Sequence, residues 1–354
     1  MKRRQQPRYK AAIIGLGFIG AGDQVSGDRL GQQVRDLDGT HAASLGNHSS
    51  IELVAGSSRD VGRRERFAAR TGCRTYADWR KMLKIEQPDI VSVATYAPQH
   101  AKMVVACAAA GVKAIFCEKP LATRLADGEV MLAACQATGT LLAVNHNRRF
   151  HLLYSKLQAF IAEGRLGELT SGRVEWGTGR LGNVGTHFFD AIRFVTGRPI
   201  AAVSGTLDPT GRPDCRGKAF RDPGGWGWLA LEETAEFPPL MVAVDAGDNS
   251  TSSAQLVLHG THGSVVMADT TATWYQVNGR KQTWQVGTGP SSMDQAVGAI
   301  VAHLDQRQPF PHSAKDALHV LEAIIAFHAS HRRHSEWVRL PLQGRDRKIV
   351  VRSG

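Results

Sequence analysis

Residues 11–20 read A-A-I-I-G-L-G-F-I-G, a short apolar run followed by glycines at 15, 17 and 20. No other stretch restricts the fold as strongly. The run has the character of a buried strand, and the G-x-G-x-x-G spacing makes a turn tight enough to present backbone N–H groups to a pyrophosphate. Gly15 permits the turn, Gly17 the approach of the phosphates, and Gly20 the close packing of the following helix. Phe18 and Ile19 complete the loop. The motif carries weight only where it follows a strand and opens a domain of alternating strands and helices.

The next 130 residues meet that condition. Strand-like runs at 51–57, 89–95, 113–118 and 141–146 alternate with helical patterns at 63–72, 76–84, 98–111 and 124–139. Such alternation predicts a parallel sheet wound by crossover helices, with its ligand at the carboxyl ends of the strands. Past residue 150 the texture changes. Helical patterns at 152–163 and 186–197 precede strand-like runs at 201–208, 227–237, 240–246, 254–260, 263–269, 274–277 and 282–286. Helices at 293–306 and 314–331 then close the chain. The expected fold is α/β: a Rossmann doubly wound domain over 1–147, then an α+β domain over 148–354 with a large, mostly antiparallel sheet.

A chain of 354 residues with 42% hydrophobic residues is long enough for two cores. No apolar run reaches the roughly 18 residues of a membrane helix, and the basic first ten residues lead straight into the glycine loop rather than to a cleavage site. Five cysteines without a C-x-x-C pair exclude a zinc knuckle or disulfide framework and fit a reducing cytoplasm. The net charge of +11 is dispersed, apart from five of the 43 basic residues in the first ten positions, so a nucleic-acid partner is not expected. His328, His331 and His334 fit cations at a helix end better than a metal site. Trp226, Trp228, Trp274 and Trp284 read as sheet packing.

Three further motifs follow the strands: A-T-Y-A-P-Q-H at 94–100, C-E-K-P-L-A-T at 117–123 and N-H-N-R-R-F at 145–150. Together with the glycine loop they resemble the Gfo/Idh/MocA family of sugar and cyclitol oxidoreductases. The Glu118-Lys119-Pro120 tripeptide is the most specific mark. The resemblance implies that Lys119 lies beside the nicotinamide and the reacting carbon, often before a cis proline, and that Thr95, His100 and Glu118 join the cofactor site, with Arg148 on the substrate. Oxidation of a secondary alcohol requires a cation for the developing alkoxide and a base near neutrality. Lys119 suits the first role.

The segment L-G-N-V-G-T-H-F-F-D at 181–190 resembles the family's D-x-G-x-H-x-x-D pattern, which makes His187 the acid/base and Asp190 a substrate-orienting group. Asn183 stands where the family usually has aspartate. An asparagine orients a hydroxyl but carries no charge, so the family's charged dyad is not expected.

A motif count would put the ribose anchor on Asp36 or Asp38, but neither follows a strand. The second strand ends in S-S-R-D, where Ser58 and Arg59 favour the 2′-phosphate of NADP over NAD, with Asp60 as ribose ligand the alternative. Residues 40–48 have helical composition and directly precede that strand, which leaves 21–39 as an insertion: a mobile loop over the ligand or an ordered surface excursion. The leading expectation is an NADP-preferring dehydrogenase or reductase of a small polyhydroxylated substrate, forming a homodimer or homotetramer. A dinucleotide-binding sensor without turnover and an NAD-assisted glycosidase are the alternatives.

Overall fold

The computed structural model describes residues 7–23, 39–210, 220–251, 253–268, 270–287 and 289–353. The chain forms two compact units. The first contains Met1–Ala122, Asp127–Asn147 and Pro290–Asp316; the second contains Thr123–Ala126, Arg148–Gly289 and Ala317–Gly354. Two segments cross a boundary drawn at 147/148: Thr123–Ala126 belongs to the second unit, and Pro290–Asp316, with helix α9 (Ser292–Leu304), to the first.

The first unit is a six-stranded parallel sheet of β1 (Tyr9–Ile14), β2 (Ile51–Ser57), β3 (Arg74–Tyr76), β4 (Ile90–Val93), β5 (Ala114–Cys117) and β6 (Leu141–Val144). The order is β3-β2-β1-β4-β5-β6, so the direction of winding reverses between β1 and β4. All four residues of β4 and of β5 are buried, as expected for strands covered by helices on both faces. The three-residue β3, made of Arg, Thr and Tyr, has no apolar run to reveal it in sequence.

The first crossover is broken. Helix α1 (Phe18–Ala21) lasts one turn and stops at Gly22, which takes the left-handed conformation at φ 69°. A helix this short leaves its last carbonyls without intrahelical partners. Arg70, on α3 (Val61–Thr71), supplies them, donating to Ala21 O at 2.6 Å and Gly22 O at 3.3 Å. Buried Asp23 receives a bidentate Arg66 at 2.8 and 3.0 Å and lies 3.3 Å from Arg63. The arginines of V-G-R-R-E-R-F-A-A-R-T thus secure the interruption. The crossover resumes at α2 (His41–Asn47), whose N-cap Thr40 accepts from Ala43 N. Most of the expected insertion, 24–38, lies outside the described residues.

The second unit is built on a nine-stranded sheet in the order β14-β13-β12-β11-β7-β10-β9-β8-β15. Its strands are β7 (Leu169–Glu175), β8 (Ile200–Leu207), β9 (Gly225–Leu231), β10 (Leu240–Ala246), β11 (Gln255–Gly260), β12 (Gly263–Met267), β13 (Thr271–Gln276), β14 (Lys281–Gln285) and β15 (Val338–Arg339). Among the described residues of this sheet only β7 and β10 pair in parallel, and β7 is a strand the sequence pattern did not reveal. The period of two is legible in G-W-G-W-L-A-L of β9. Gly227 and Leu229 turn inward, while Trp226 and Trp228 stand on the open face, 44% and 47% exposed. The glycine of β8 makes room for one ring: a Cβ at Gly205 would lie 2.3 Å from Phe327 Cζ, on helix α10 (Ala314–Arg332). Trp284 instead packs inward, edge-on to Phe160, as does Trp274.

Among the described residues four cysteines are free thiols, no His/Cys/Asp/Glu group could hold a metal, and no helix is long and apolar enough to cross a membrane.

Candidate active site

In the first unit the sequence motifs converge because every one of them follows a strand of a parallel sheet. The glycine loop leaves β1, Thr95 follows β4, Glu118-Lys119-Pro120 follows β5, Asn145 follows β6 and Ser58-Arg59 follows β2. The loop geometry fits a pyrophosphate cradle. Gly15 has φ 104°, and a Cβ there would meet Ala94 O at 2.3 Å; a Cβ at Gly20 would meet Gly15 O at 2.0 Å. Only bare backbone lets the loop close this tightly on the end of β4. Within it, Gly15, Gly17 and Ile19 stay partly accessible while Phe18 is buried, so the Phe18 side chain belongs to the core rather than to a ligand surface.

Glu118 turns inward. It is 5% exposed, and its Oε1 accepts from Asn145 Nδ2 at 2.5 Å and from His41 Nε2 at 2.8 Å. Its Oε2 accepts from Lys119 N at 3.2 Å. Burial by itself would raise the pKa of this carboxyl, but the bond and attraction of His41, the Lys119 charge and the Asn145 amide overcome it and hold the pKa down to about 2. Lys119, one residue on, is only partly buried, and the peptide joining it to Pro120 is cis.

His100 is also internal. Its fully buried ring sets Nε2 2.9 Å from Thr95 O and Nδ1 3.1 and 3.2 Å from Pro120 O and Leu121 O. Both ring nitrogens face main-chain carbonyls, so His100 ties the β4 and β5 loops together. Burial lowers its pKa, opposed by those carbonyls.

At the end of β2, Asp60 is an N-cap: its Oδ1 accepts from Arg63 N at 2.8 Å at the start of α3. Ser58 Oγ accepts from Asp60 N, and Arg64 donates to Ser58 O and Arg59 O. Arg59 is exposed, and its guanidinium has no carboxylate partner among the described residues.

In the second unit a π-helical turn, Leu181–Gly185, leads into α8 (Thr186–Thr196). Asp222 braces the turn, accepting from Gly182 N and Asn183 N at 2.8 Å each. Burial raises the Asp222 pKa while these two N–H groups oppose the rise. Trp176 stacks on Phe188 at 4.8 Å and 5°, and lies 3.0 Å from a Cβ built at Gly185. Between buried Thr186 and Phe188, His187 is only partly buried. Arg148 stacks on the same Phe188 at 4.8 Å and donates to Tyr154 Oη at 3.1 Å.

Asp190 turns inward. It is fully buried, and its two oxygens lie 2.8 to 3.0 Å from the Arg149 guanidinium nitrogens. A buried carboxylate needs such a fork, and this one joins α8 to the segment carrying Arg148. Arg149, His41 and Asp222 escaped the sequence reading. His41 lay within a recognised helical segment, but its partners Ser92 and Glu118 are 51 and 77 positions away.

Residues 9–146 match the model of the oxidoreductase family with an NAD-binding Rossmann fold, Gfo/Idh/MocA. The chain is 35% identical over 170 residues to D-apiose dehydrogenase of Paraburkholderia graminis, covering 48% of this chain and 40% of that protein. It is 32% identical over 130 residues to trans-1,2-dihydrobenzene-1,2-diol dehydrogenase of Mus musculus, covering 36% and 39%. The matches thus span about two fifths of these curated relatives. The fold is shared throughout with levoglucosan dehydrogenase in complex with NADH and levoglucosan, at a TM-score of 0.77, 20% identity and coverage of 94% and 100%. The glycine loop, the strand order and this match agree in one respect: residues 9–146 are similar to the NAD-binding Rossmann domain of the Gfo/Idh/MocA oxidoreductase family.

Proposed function

We infer that this protein is an NADP-preferring oxidoreductase that moves a hydride between a nicotinamide and a secondary alcohol or ketone of a sugar, amino sugar or cyclitol. The observation that carries the reading is Lys119: a partly buried lysine at the carboxyl end of β5, beside a buried carboxylate and on the same sheet edge as the glycine loop. A bound dinucleotide supplies the hydride acceptor or donor. In the oxidative direction Lys119 hydrogen-bonds the substrate oxygen and stabilises its developing negative charge, and His187 receives the hydroxyl proton as the C=O bond forms. Asn183 and Arg148 orient neighbouring hydroxyls by hydrogen bonding. The relatives named for D-apiose and levoglucosan support a polyhydroxylated substrate.

Stopped-flow absorbance at the reduced-nicotinamide band, with each dinucleotide and a panel of aldoses, anhydrosugars, cyclitols and keto sugars, tests this. Net reduction or oxidation of the dinucleotide with one of them is the expected outcome. Tight dinucleotide binding with no absorbance change would favour a sensor. Glycoside cleavage without net change would favour a glycosidase that uses the dinucleotide transiently.

The NADP preference rests on the β2 terminus. Asp60 is engaged as a helix cap, while Arg59 extends into solvent and Ser58 lies beside it. A 2′-phosphate would pair with that guanidinium and be repelled by a free carboxylate. Arg59→Ala is expected to weaken NADP binding by about 10- to 100-fold, the loss of one charged hydrogen-bonded contact, and to leave NAD within about twofold. Titrating both dinucleotides by fluorescence decides it, and an equal effect on the two would refute the assignment. The same reading places homodimer or homotetramer formation on the open sheet face that bears Trp226 and Trp228.

A further inference from the structure

Behind Lys119 lies a polar chain that the chemistry above does not use. His41, the first residue of α2, is fully buried, with its ring 4.6 Å from that of Phe116 on β5. Its Nδ1 is 2.6 Å from Oγ of Ser92, which is also fully buried on β4. Its Nε2 is 2.8 Å from Glu118 Oε1. An ionised carboxylate only accepts, so Nε2 carries the proton, and the bond to Ser92 orients the ring. Asn145, past the end of β6, closes on the same Oε1. His41, backed by Ser92, and Asn145 therefore converge on a carboxylate enclosed in protein, and that carboxylate holds the Lys119 N–H with its other oxygen.

Such a group is costly to bury unless every partner is present. A well-packed apolar residue at 118 would brace the turn as firmly if packing were the whole purpose. What an apolar residue could not do is maintain a fixed negative charge one residue from the ammonium. We propose that His41 is a positioning residue that acts through Glu118 on Lys119, holding the carboxylate ionised and immobile so that the Lys119 ammonium is kept charged and aimed at the reacting oxygen. The inference rests on the catalytic reading of Lys119. The link from His41 through Glu118 to the lysine, however, is open to measurement without turnover.

The test uses the full chain with His41→Ala, His41→Gln and Glu118→Gln. In steady-state kinetics His41→Ala is expected to lower kcat by about 10- to 100-fold, the scale of a misplaced catalytic group, while KM for the sugar and dinucleotide affinity stay within about twofold. Glutamine keeps an N–H donor for Glu118, so His41→Gln should recover most of the loss. It also serves if the alanine variant fails to fold. A kcat within about twofold of wild type in both His41 variants would overturn the proposal, since a positioned group must show in the rate. So would an equal loss of kcat and dinucleotide affinity that glutamine does not rescue, which would mark His41 as packing alone.

The second measurement is competitive acetylation at fixed pH, read by peptide mass spectrometry as the rate at Lys119 relative to Lys84 and Lys102. Without the ionised neighbour more of the amine is unprotonated, so Glu118→Gln should raise the relative rate at least about threefold. His41→Ala, which removes the His41 partner of a buried carboxyl and makes it more prone to protonate, should raise it in the same sense. An unchanged ratio in both overturns the proposal whatever the kinetics. Should wild type turn over no substrate while the ratio still shifts, the functional reading fails and the positioning role stands.

Discussion

Lys119→Met is expected to lower kcat by about 10³-fold while the affinity for the dinucleotide changes less than about threefold. Removing a preorganised charge donor from a developing oxyanion costs on the order of 10²- to 10³-fold, and the Lys119 charge also helps to keep the buried Glu118 carboxyl ionised. Methionine keeps the length and much of the apolar stem of the side chain, so the turn after β5 should persist. Its main-chain N–H to Glu118 Oε2 is untouched by the exchange. Single-turnover kinetics separate the two quantities. An equal loss of binding and rate would contradict the assigned role, because a group acting only on the transition state lowers kcat and kcat/KM together without weakening the ground-state complex.

Gly20→Ala should be as damaging by another route. The added Cβ would lie 2.0 Å from Gly15 O and 3.1 Å from Ala94 Cβ, both on segments fixed by the sheet. Gly15 cannot give way, since its own φ of 104° already brings it against Ala94 O. Backbone against backbone offers no rotamer through which to relax. A loss of about 3 to 5 kcal/mol belongs to this kind of change, and in a unit of this size it should appear as a fall in Tm of about 10 °C. Dinucleotide binding should fall by at least about 100-fold, because the loop that closes on β4 also shapes the phosphate cradle. Calorimetry with and without dinucleotide checks both. A variant with wild-type Tm and affinity would mean that the loop is not the close-packed cradle its glycines describe.

Elements with a clear period or punctuation were legible. The buried runs of β1, β2, β4, β5 and β6 stood out as short, mostly apolar stretches, and glycine marked the ends of several helices. The strand β3 did not, because a three-residue edge strand of Arg, Thr and Tyr has neither length nor pattern. β7, L-T-S-G-R-V-E, was hidden because its apolar residues are sparse and its burial depends on the strands at either side. Site residues divide the same way. The glycine loop, Lys119 and His187 sit in local motifs whose spacing is itself the signal. His100 and Asp190 also sit in motifs, yet the structure turns them inward, to main-chain carbonyls in one case and to Arg149 in the other. Whether a polar side chain faces a ligand or a neighbour is decided by packing around it, which local spacing does not encode.

By itself the sequence determined the kind of unit at the N-terminus, the loop that opens it and the lysine after β5. Each depends on short-range geometry: alternation of strand and helix, backbone freedom at glycine, and a motif at a strand end. Tertiary structure alone decided which partner each buried charge received. His41 found Glu118 across 77 positions, Arg70 answered the carbonyls of a helix cut short at Gly22, and Pro290–Asp316 returned to a unit the chain had left. These are long-range matters because a charge removed from water must be paired by whatever the fold brings within about 3 Å, and chain distance has no part in that requirement.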